Sequence, residues 1–234
     1  LLQSTQSGAG IMDHKDGIRR AARLTRLGGY QLTRSCHVCA FFATPDEEYD
    51  VLMPFIRDGF DAGAKAFHTI DPARLDGHTR RLAAAGIDVD GAQRSGQLDL
   101  RTWNEVHLCC GTFEPKATNS LFVQALGEAE TQGFTHTRFI SHMGWAAKHE
   151  AGSHRLLDYE ARANMAAADG PASQVVCVYD LTVFSADFVL DVMRTHPLVL
   201  IGGTLYENPL YVPPVEFLRG LRERVVRLEQ AQHA

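Results

Sequence analysis

The sequence contains no run of about 20 apolar residues, the length a helix needs to cross a bilayer. Its longest apolar runs, around Val175 to Val178 and Pro197 to Ile201, are the size of a strand. Leu1 to Gly10 lacks the basic-then-apolar order of a secretory leader, and no Met stands at the start, which reads as a processed, tagged or truncated terminus. Charge of one sign is scarce: 23 Lys+Arg against 28 Asp+Glu gives −5 over 234 residues. That balance argues against a domain that grips nucleic acid through a dominant basic field. Cysteine is sparse and odd in number, with five at Cys36, Cys39, Cys109, Cys110 and Cys177. Disulfide frameworks are even-numbered and belong to much smaller chains, so reduced thiols in a cytoplasmic protein are expected. The remaining composition, 45% hydrophobic and 22% charged, is that of one ordinary folded domain with short extensions.

The usual nucleotide and hydrolase signatures are also missing. A phosphate loop needs glycines and a Lys between the first strand and its helix, so that backbone N–H groups approach the phosphates. Here that turn reads Ala43-Thr44-Pro45-Asp46-Glu47-Glu48, with no Gly, no Lys and three carboxylates. It carries no dinucleotide fingerprint either, and Gly8-Ala9-Gly10 precedes any strand. No G-x-S-x-G elbow occurs. His149 and His154 are five residues apart, one too many for a zinc-protease helix, and they diverge by about 140°.

What is present is alternation. Lys15 to Arg34 is basic, with a short helical stripe (Ile18, Ala21, Ala22) expected to stop at Gly28-Gly29. It reads as a solvated helix packed on the domain rather than a nucleic-acid arm, because one short helix is not a helix-turn-helix. From there strands are expected at 37–43, 65–70, 97–102, 137–143, 174–179 and 198–201. Helices are expected at 45–62, 74–85, 115–132, 154–168, from Ser185 to about Arg194, and beyond Pro213-Pro214. Strand–helix alternation at this spacing means βαβ units: an α/β fold of three layers, α/β/α, around a mostly parallel sheet. In such sheets ligands sit beyond the carboxyl ends of the strands, where strand order reverses.

Phe42, Trp103, Trp145 and Tyr179 fall at those ends and could line an apolar pocket, with His142, Glu160 and Asp180 as polar candidates. The plainer alternatives are core packing for the aromatics, a surface pair of Glu160 with Arg162 or Arg155, and a turn cap for Asp180. A second constellation is Cys36, His37, Cys39 and Cys177, a metal- or thiol-based sensor if the strands are neighbours; Cys as plain core filler competes with it. A third reading is an enzyme using an acid–base pair such as His142 and Glu160.

One set of motifs carries a resemblance. His37-Val38-Cys39-Ala40-Phe41-Phe42 with Glu47-Glu48-Tyr49 resembles the opening of the MEDS domain, as do Gly86-Ile87-Asp88 leading to Ser95-Gly96-Gln97-Leu98 and Met143-Gly144-Trp145-Ala146 followed by Asp158-Tyr159-Glu160-Ala161-Arg162. Cys177-Val178-Tyr179-Asp180, Arg194-Thr195-His196-Pro197 and Tyr206-Glu207-Asn208-Pro209-Leu210-Tyr211-Val212-Pro213-Pro214 follow in family order. The resemblance implies a divergent RecA/KaiC-like domain without a P-loop. It implies a prokaryotic sensory module for small hydrocarbon derivatives, acting with a signalling partner or separate output domain. It does not establish catalytic residues; with the catalytic motifs missing, none are expected, nor is a cofactor. The expected division is a basic extension over 1–35, the sensory domain over 36–214 and an amphipathic helix over 215–234. Phe217, Leu218, Leu221, Val225 and Leu228 give that last helix an apolar face, which is expected to serve a homodimer or partner interface unless it packs on its own sheet. Direct contact with nucleic acid or membrane through this domain is not expected.

Nucleoside triphosphates are expected not to bind at the turn after the first strand, because Asp46, Glu47 and Glu48 oppose them. Equilibrium dialysis with ATP checks this: micromolar binding that disappears on substitution of the turn contradicts it.

Overall fold

The structure, a computed structural model, describes residues 26–32, 35–109, 111–148 and 153–232. The expected helical stripe at 18–22, the His149-Glu150 pair and Cys110 lie outside them. The chain begins with a two-residue-per-strand hairpin, β1 (Arg26–Leu27) and β2 (Tyr30–Gln31). The central sheet strands are β3 (Cys36–Phe42), β4 (Lys65–Ile70), β5 (Leu98–Thr102), β6 (Thr137–His142), β7 (Ser173–Asp180), β8 (Leu198–Ile201) and β9 (Thr204–Glu207). Their order across the sheet is β5-β4-β6-β7-β3-β8-β9. Every neighbouring pair runs parallel except β8 with β9.

Helices α1 (Pro45–Asp61), α2 (Leu75–Ala84) and α3 (Val89–Arg94) cover one face. On the other lie α4 (Trp103–Val106), α5 (Pro115–Thr131), α6 (Trp145–Lys148), α7 (Ser153–Asp169), α8 (Ala186–Met193) and α9 (Pro214–Gln232). The local reasons are ordinary chemistry. The Thr44 hydroxyl caps α1 by accepting from the Glu47 N–H at 3.2 Å, Pro45 opens the first turn, and Tyr49, Leu52, Phe55 and Ile56 repeat at helical spacing to form its buried face. The Glu47 carboxylate folds back to accept from the Ala43 N–H at 2.9 Å, so the turn's own groups occupy the space a phosphate would need.

Because successive strand residues point to opposite faces, β3 divides its side chains. Val38, Ala40 and Phe42 join the core under α1 to α3, and Cys39 and Phe41 join the core under α5, α7 and α8. All seven residues of β3 are buried, as expected of a central parallel strand.

The three-layer α/β/α arrangement matches the expectation from sequence. Two local readings need correction. Gly28-Gly29 is not a helix stop but the turn of the β1–β2 hairpin, with both residues at positive φ, as a tight hairpin turn requires. The face of α9 is not free for a partner over its first turns: Phe217, Leu218 and Leu221 are buried in the chain's own core, where α9 lies against α7. Val226 is exposed on the same helix, and the side chain of Leu228 lies outside the description.

Gly28 presses the hairpin onto the sheet edge. The Leu205 N–H donates to its carbonyl at 3.3 Å, and a Cβ there would sit 2.6 Å from Leu200 Cδ1 and 2.7 Å from the Leu205 nitrogen. Nothing lies within 4 Å of a Cβ at Gly29. Gly29→Ala is therefore expected to cost only about 1 kcal/mol for its left-handed backbone, and Gly28→Ala about 1–3 kcal/mol more for overlap. Urea denaturation of the two variants measures the difference; equal losses would contradict the packing described.

Candidate functional site

The connection after β3 leaves through α1 toward β4 on one face. The connection after the adjacent β7 leaves through α8 toward β8 on the other. Strand order thus reverses between the carboxyl ends of β3 and β7, and a crevice opens there. It holds a cavity of about 110 Å³. Phe42, Trp103, Val178 and Val183 supply apolar wall, Glu48, Arg74, His142 and Asp180 supply polar groups, and Tyr179 borders the cavity with its ring packed in the opposite core against Phe41 and Phe184.

The polar floor is built from three elements. Glu48, in the first turn of α1, is buried, with one carboxylate oxygen 2.9 Å from Nε2 of His142 at the end of β6 and the other accepting from Arg74 Nη2 at 2.9 Å. Burial acts to raise the Glu48 carboxyl, but the His142 imidazole and the Arg74 guanidinium outweigh it and hold the group below its usual range. The Nε2 contact is one of charge and distance: neither ring nitrogen of His142 makes a hydrogen bond among the described residues. A row of further buried imidazoles runs along the same face of the sheet. Tyr49 Oη lies 2.7 Å from His78 Nδ1, and His78 Nε2 lies 3.0 Å from His68 Nδ1. Burial, reinforced by the neighbouring imidazole of His142, pushes His68 down to about 3 and His78 well below its ordinary value, so both are neutral at pH 7.

Five of the residues singled out from sequence meet at this cavity: Phe42, Trp103, His142, Tyr179 and Asp180. Asp180 also caps its own turn, accepting from the Thr182 N–H at 2.8 Å and the Thr182 hydroxyl at 2.6 Å. Trp145 is a correction. It is fully buried away from the cavity, stacked on His107 with centroids 4.8 Å apart and against Phe113 at 4.4 Å, because it opens α6 with its ring turned into the helical layer.

Glu160 is a second correction. It is neither at the cavity nor a surface partner of Arg162 or Arg155, which pair with Asp158 and Glu114 instead. It projects from α7 onto the opposite face of the sheet, fully buried, so it cannot act with His142 as an acid–base pair. Its Oε1 accepts from the Tyr179 hydroxyl at 2.6 Å, and its Oε2 lies 3.3 Å from His37 Nε2, 3.5 Å from His196 Nε2 and 3.6 Å from the Cys177 Sγ that donates to it. Burial opposes its charge, but the two imidazoles and the Tyr179 hydroxyl prevail and hold the carboxyl at about 2.

The expected set of Cys36, His37, Cys39 and Cys177 is therefore only half assembled. His37 and Cys177 meet at 3.3 Å, whereas Cys36 faces the other core and Cys39 bonds weakly to the Leu198 carbonyl. Burial pushes the Cys36 thiol up to about 12 and the Cys39 and Cys177 thiols well above their ordinary range, so none is a ready nucleophile.

Sequence reasoning missed Glu48, Arg74 and His196. Glu48 was legible: it stands four residues before Leu52, on the buried face of α1. Arg74 follows a short turn, and His196 precedes Pro197 in a loop, so neither carried a periodic signal.

Comparison with known proteins places this geometry. The MEDS family, the methanogen/methylotroph, DcmR sensory domain, matches residues 36–197. The chain is 24% identical over 198 residues to the transcriptional repressor DcmR of Methylorubrum extorquens, covering 84% of this chain and 71% of that one. Among solved structures it is similar to a KaiC-like protein of Pyrococcus horikoshii OT3 (TM-score 0.52, 11% identity, 76% of this chain and 80% of that one). It is also similar to an uncharacterized Pyrococcus horikoshii protein in complex with an unknown peptide (TM-score 0.56, 12% identity, 75% and 82%). The fold is thus RecA/KaiC-like, and the chain belongs to the MEDS family.

The buried imidazoles make stability depend on acid. Below about pH 6.5 an unfolded His gains a proton, while folded His68 stays neutral until about 3. The unfolded chain then binds more protons, so stability is complete above about 6.5 and falls as pH drops toward 3. His68→Asn is expected to flatten that fall by up to about 1.4 kcal/mol per pH unit, read from urea midpoints between pH 7 and 4. Parallel slopes for the variant and the parent would contradict it.

Proposed function

We propose that this MEDS domain is the sensing part of a prokaryotic regulatory system, and that a small organic molecule binds in the carboxyl-edge cavity between β3, β6 and β7. The observation that carries the reading is the cavity itself: apolar walls from Phe42, Trp103 and Val178 at the switch point of the sheet, beside the polar groups of His142, Glu48 and Arg74. A volume of about 110 Å³ suits a ligand of few heavy atoms, such as a small hydrocarbon derivative. Arg74, half-buried, and Asp180, exposed, offer it polar contacts at the cavity wall.

The role proposed is recognition rather than catalysis. Among the described residues lining the cavity, the Thr44 hydroxyl is spent on capping α1 and the Tyr179 hydroxyl on Glu160, so neither is poised against His142 as a nucleophile. Kinship to a transcriptional repressor supports a regulatory output. That output passes to a signalling partner or separate output domain, in the cytoplasm and without direct contact between this domain and nucleic acid. No helix among the described residues is long and apolar enough to cross a membrane.

A thermal-shift screen of small organic compounds against the full chain tests the proposal. A binder at 100 times its Kd stabilises by about 2.7 kcal/mol. Trp103→Ala is expected to weaken that binder at least about tenfold, the loss of one apolar wall being worth 1.4 kcal/mol or more. Trp145→Phe, outside the cavity, is expected to leave its affinity unchanged. Affinity that ignores Trp103→Ala and Phe42→Ala would place the ligand elsewhere.

A further inference from the structure

The opposite face of the sheet holds a cluster that the sensing cavity does not use. His37 comes from β3, Cys177 from β7, Glu160 from α7 and His196 from the loop between α8 and β8. All four side chains are buried, and their ligating atoms lie within 4.8 Å of one another. We propose that His37 Nε2, Glu160 Oε2, Cys177 Sγ and His196 Nε2 form a closed tetrahedral site for a divalent ion of the zinc class.

Four observations carry this. The first is spacing. Zinc bonds of about 2.0–2.1 Å to N and O and about 2.3 Å to S give tetrahedral edges of about 3.3–3.6 Å. Four of the six edges match: 3.3 Å for His37 to Glu160, 3.3 Å for His37 to Cys177, 3.5 Å for His196 to Glu160 and 3.6 Å for Cys177 to Glu160; the two that join His196 to His37 and to Cys177 lie within 4.8 Å.

The second is the orientation of His196. Its Nδ1 lies 3.0 Å from the Val192 carbonyl, which can only accept, and 2.9 Å from the Thr195 hydroxyl, whose own proton goes to that carbonyl at 2.7 Å; Nδ1 therefore carries the proton and Nε2 presents a lone pair. That Nε2 is fully buried, has no hydrogen-bond partner among the described residues and lies 3.5 Å from a carboxylate oxygen. With His196 neutral, that lone pair faces an anion and repels it; a proton or a divalent cation in the gap makes both contacts attractive.

The third is the support around the ligands. The Val192 carbonyl fixes the His196 ring, and the Tyr179 hydroxyl occupies Oε1 of Glu160, leaving Oε2 to face the centre. The fourth is charge: one carboxylate and one thiolate neutralise a divalent ion, whereas a lone buried carboxylate costs several kcal/mol. Two imidazoles, one thiolate and one carboxylate are the donor types that zinc accepts, and four protein ligands leave no open position, so the ion's role is structural. Binding releases the Cys177 thiol proton to solvent, and no electron transfer is involved. The site goes beyond the sensing reading and stands without it.

Cobalt(II) titration of the chelator-treated full chain tests the proposal. The expected result is one equivalent bound, with the absorption of a tetrahedral ion and a sulfur-to-cobalt charge-transfer band, displaced by one equivalent of Zn2+. Cys177→Ser is expected to lose that band and His196→Gln to weaken binding at least tenfold, while Cys39→Ala keeps both. Should the ligand variants fail to fold, X-ray absorption of the cobalt-loaded parent chain decides, with one sulfur and three N/O neighbours expected. No binding, a six-coordinate oxygen shell, or a charge-transfer band that survives Cys177→Ser would overturn the site. A readout that stays with Zn2+ and Co2+ does not depend on any organic ligand, so its failure leaves the sensing proposal standing, and the reverse holds too.

Discussion

Hydrogen bonding of β3 to β7 on one side and β8 on the other fixes the register of a strand buried on both faces. Everything else in the domain is arranged around that pairing. A strand with two buried faces cannot send a polar side chain to water, so each one it carries must find a partner inside the helical layer it meets. His37 finds Glu160 and Cys177 beneath α7. On the next strand but one, His142 finds Glu48 beneath α1. The alternation of the strand, not proximity in sequence, decides which histidine meets which carboxylate.

That constraint also explains what could be read before any coordinates. Six parallel strands and their crossover helices stand out because apolar runs, caps and glycine stops recur at regular spacing, and the three-layer arrangement follows from them. β9 and the β1–β2 hairpin were not legible. β8 is as short as β9 but is an unbroken apolar run, whereas Thr204 to Glu207 mixes polar and apolar residues; two-residue strands show no pattern, and Gly28-Gly29 suits a helix stop as well as a hairpin turn. The cavity was foreseeable because its aromatics sit at strand ends. Trp145 looks the same in sequence, and only the direction in which α6 leaves the strand separates it from Trp103. Glu160 was misplaced for a related reason: a Glu beside Arg162 on a helix reads as a surface pair, and its burial is set by where α7 crosses the sheet.

The turn after β3 shows how one architecture supports a different chemistry. In a RecA-like sheet this is where a phosphate loop would stand, with free N–H groups pointing outward. Here Thr44 and Glu47 take up those groups, Pro45 removes one, and Glu48 turns inward to hold His142 and Arg74. The helix start is thus closed to an anion and converted into part of a cavity floor. Glu48, one of the three carboxylates that oppose a phosphate at this turn, is also the residue that holds His142 and Arg74 at the cavity.

The two buried polar networks, one around Glu48 and one around Glu160, share no partner among the contacts described and are separated by the backbone layer of the sheet. Groups without common partners make independent contributions to free energy. A substitution in one network is therefore compatible with almost any state of the other, so their effects on stability add, and either face can change its chemistry over generations without a compensating change across the sheet.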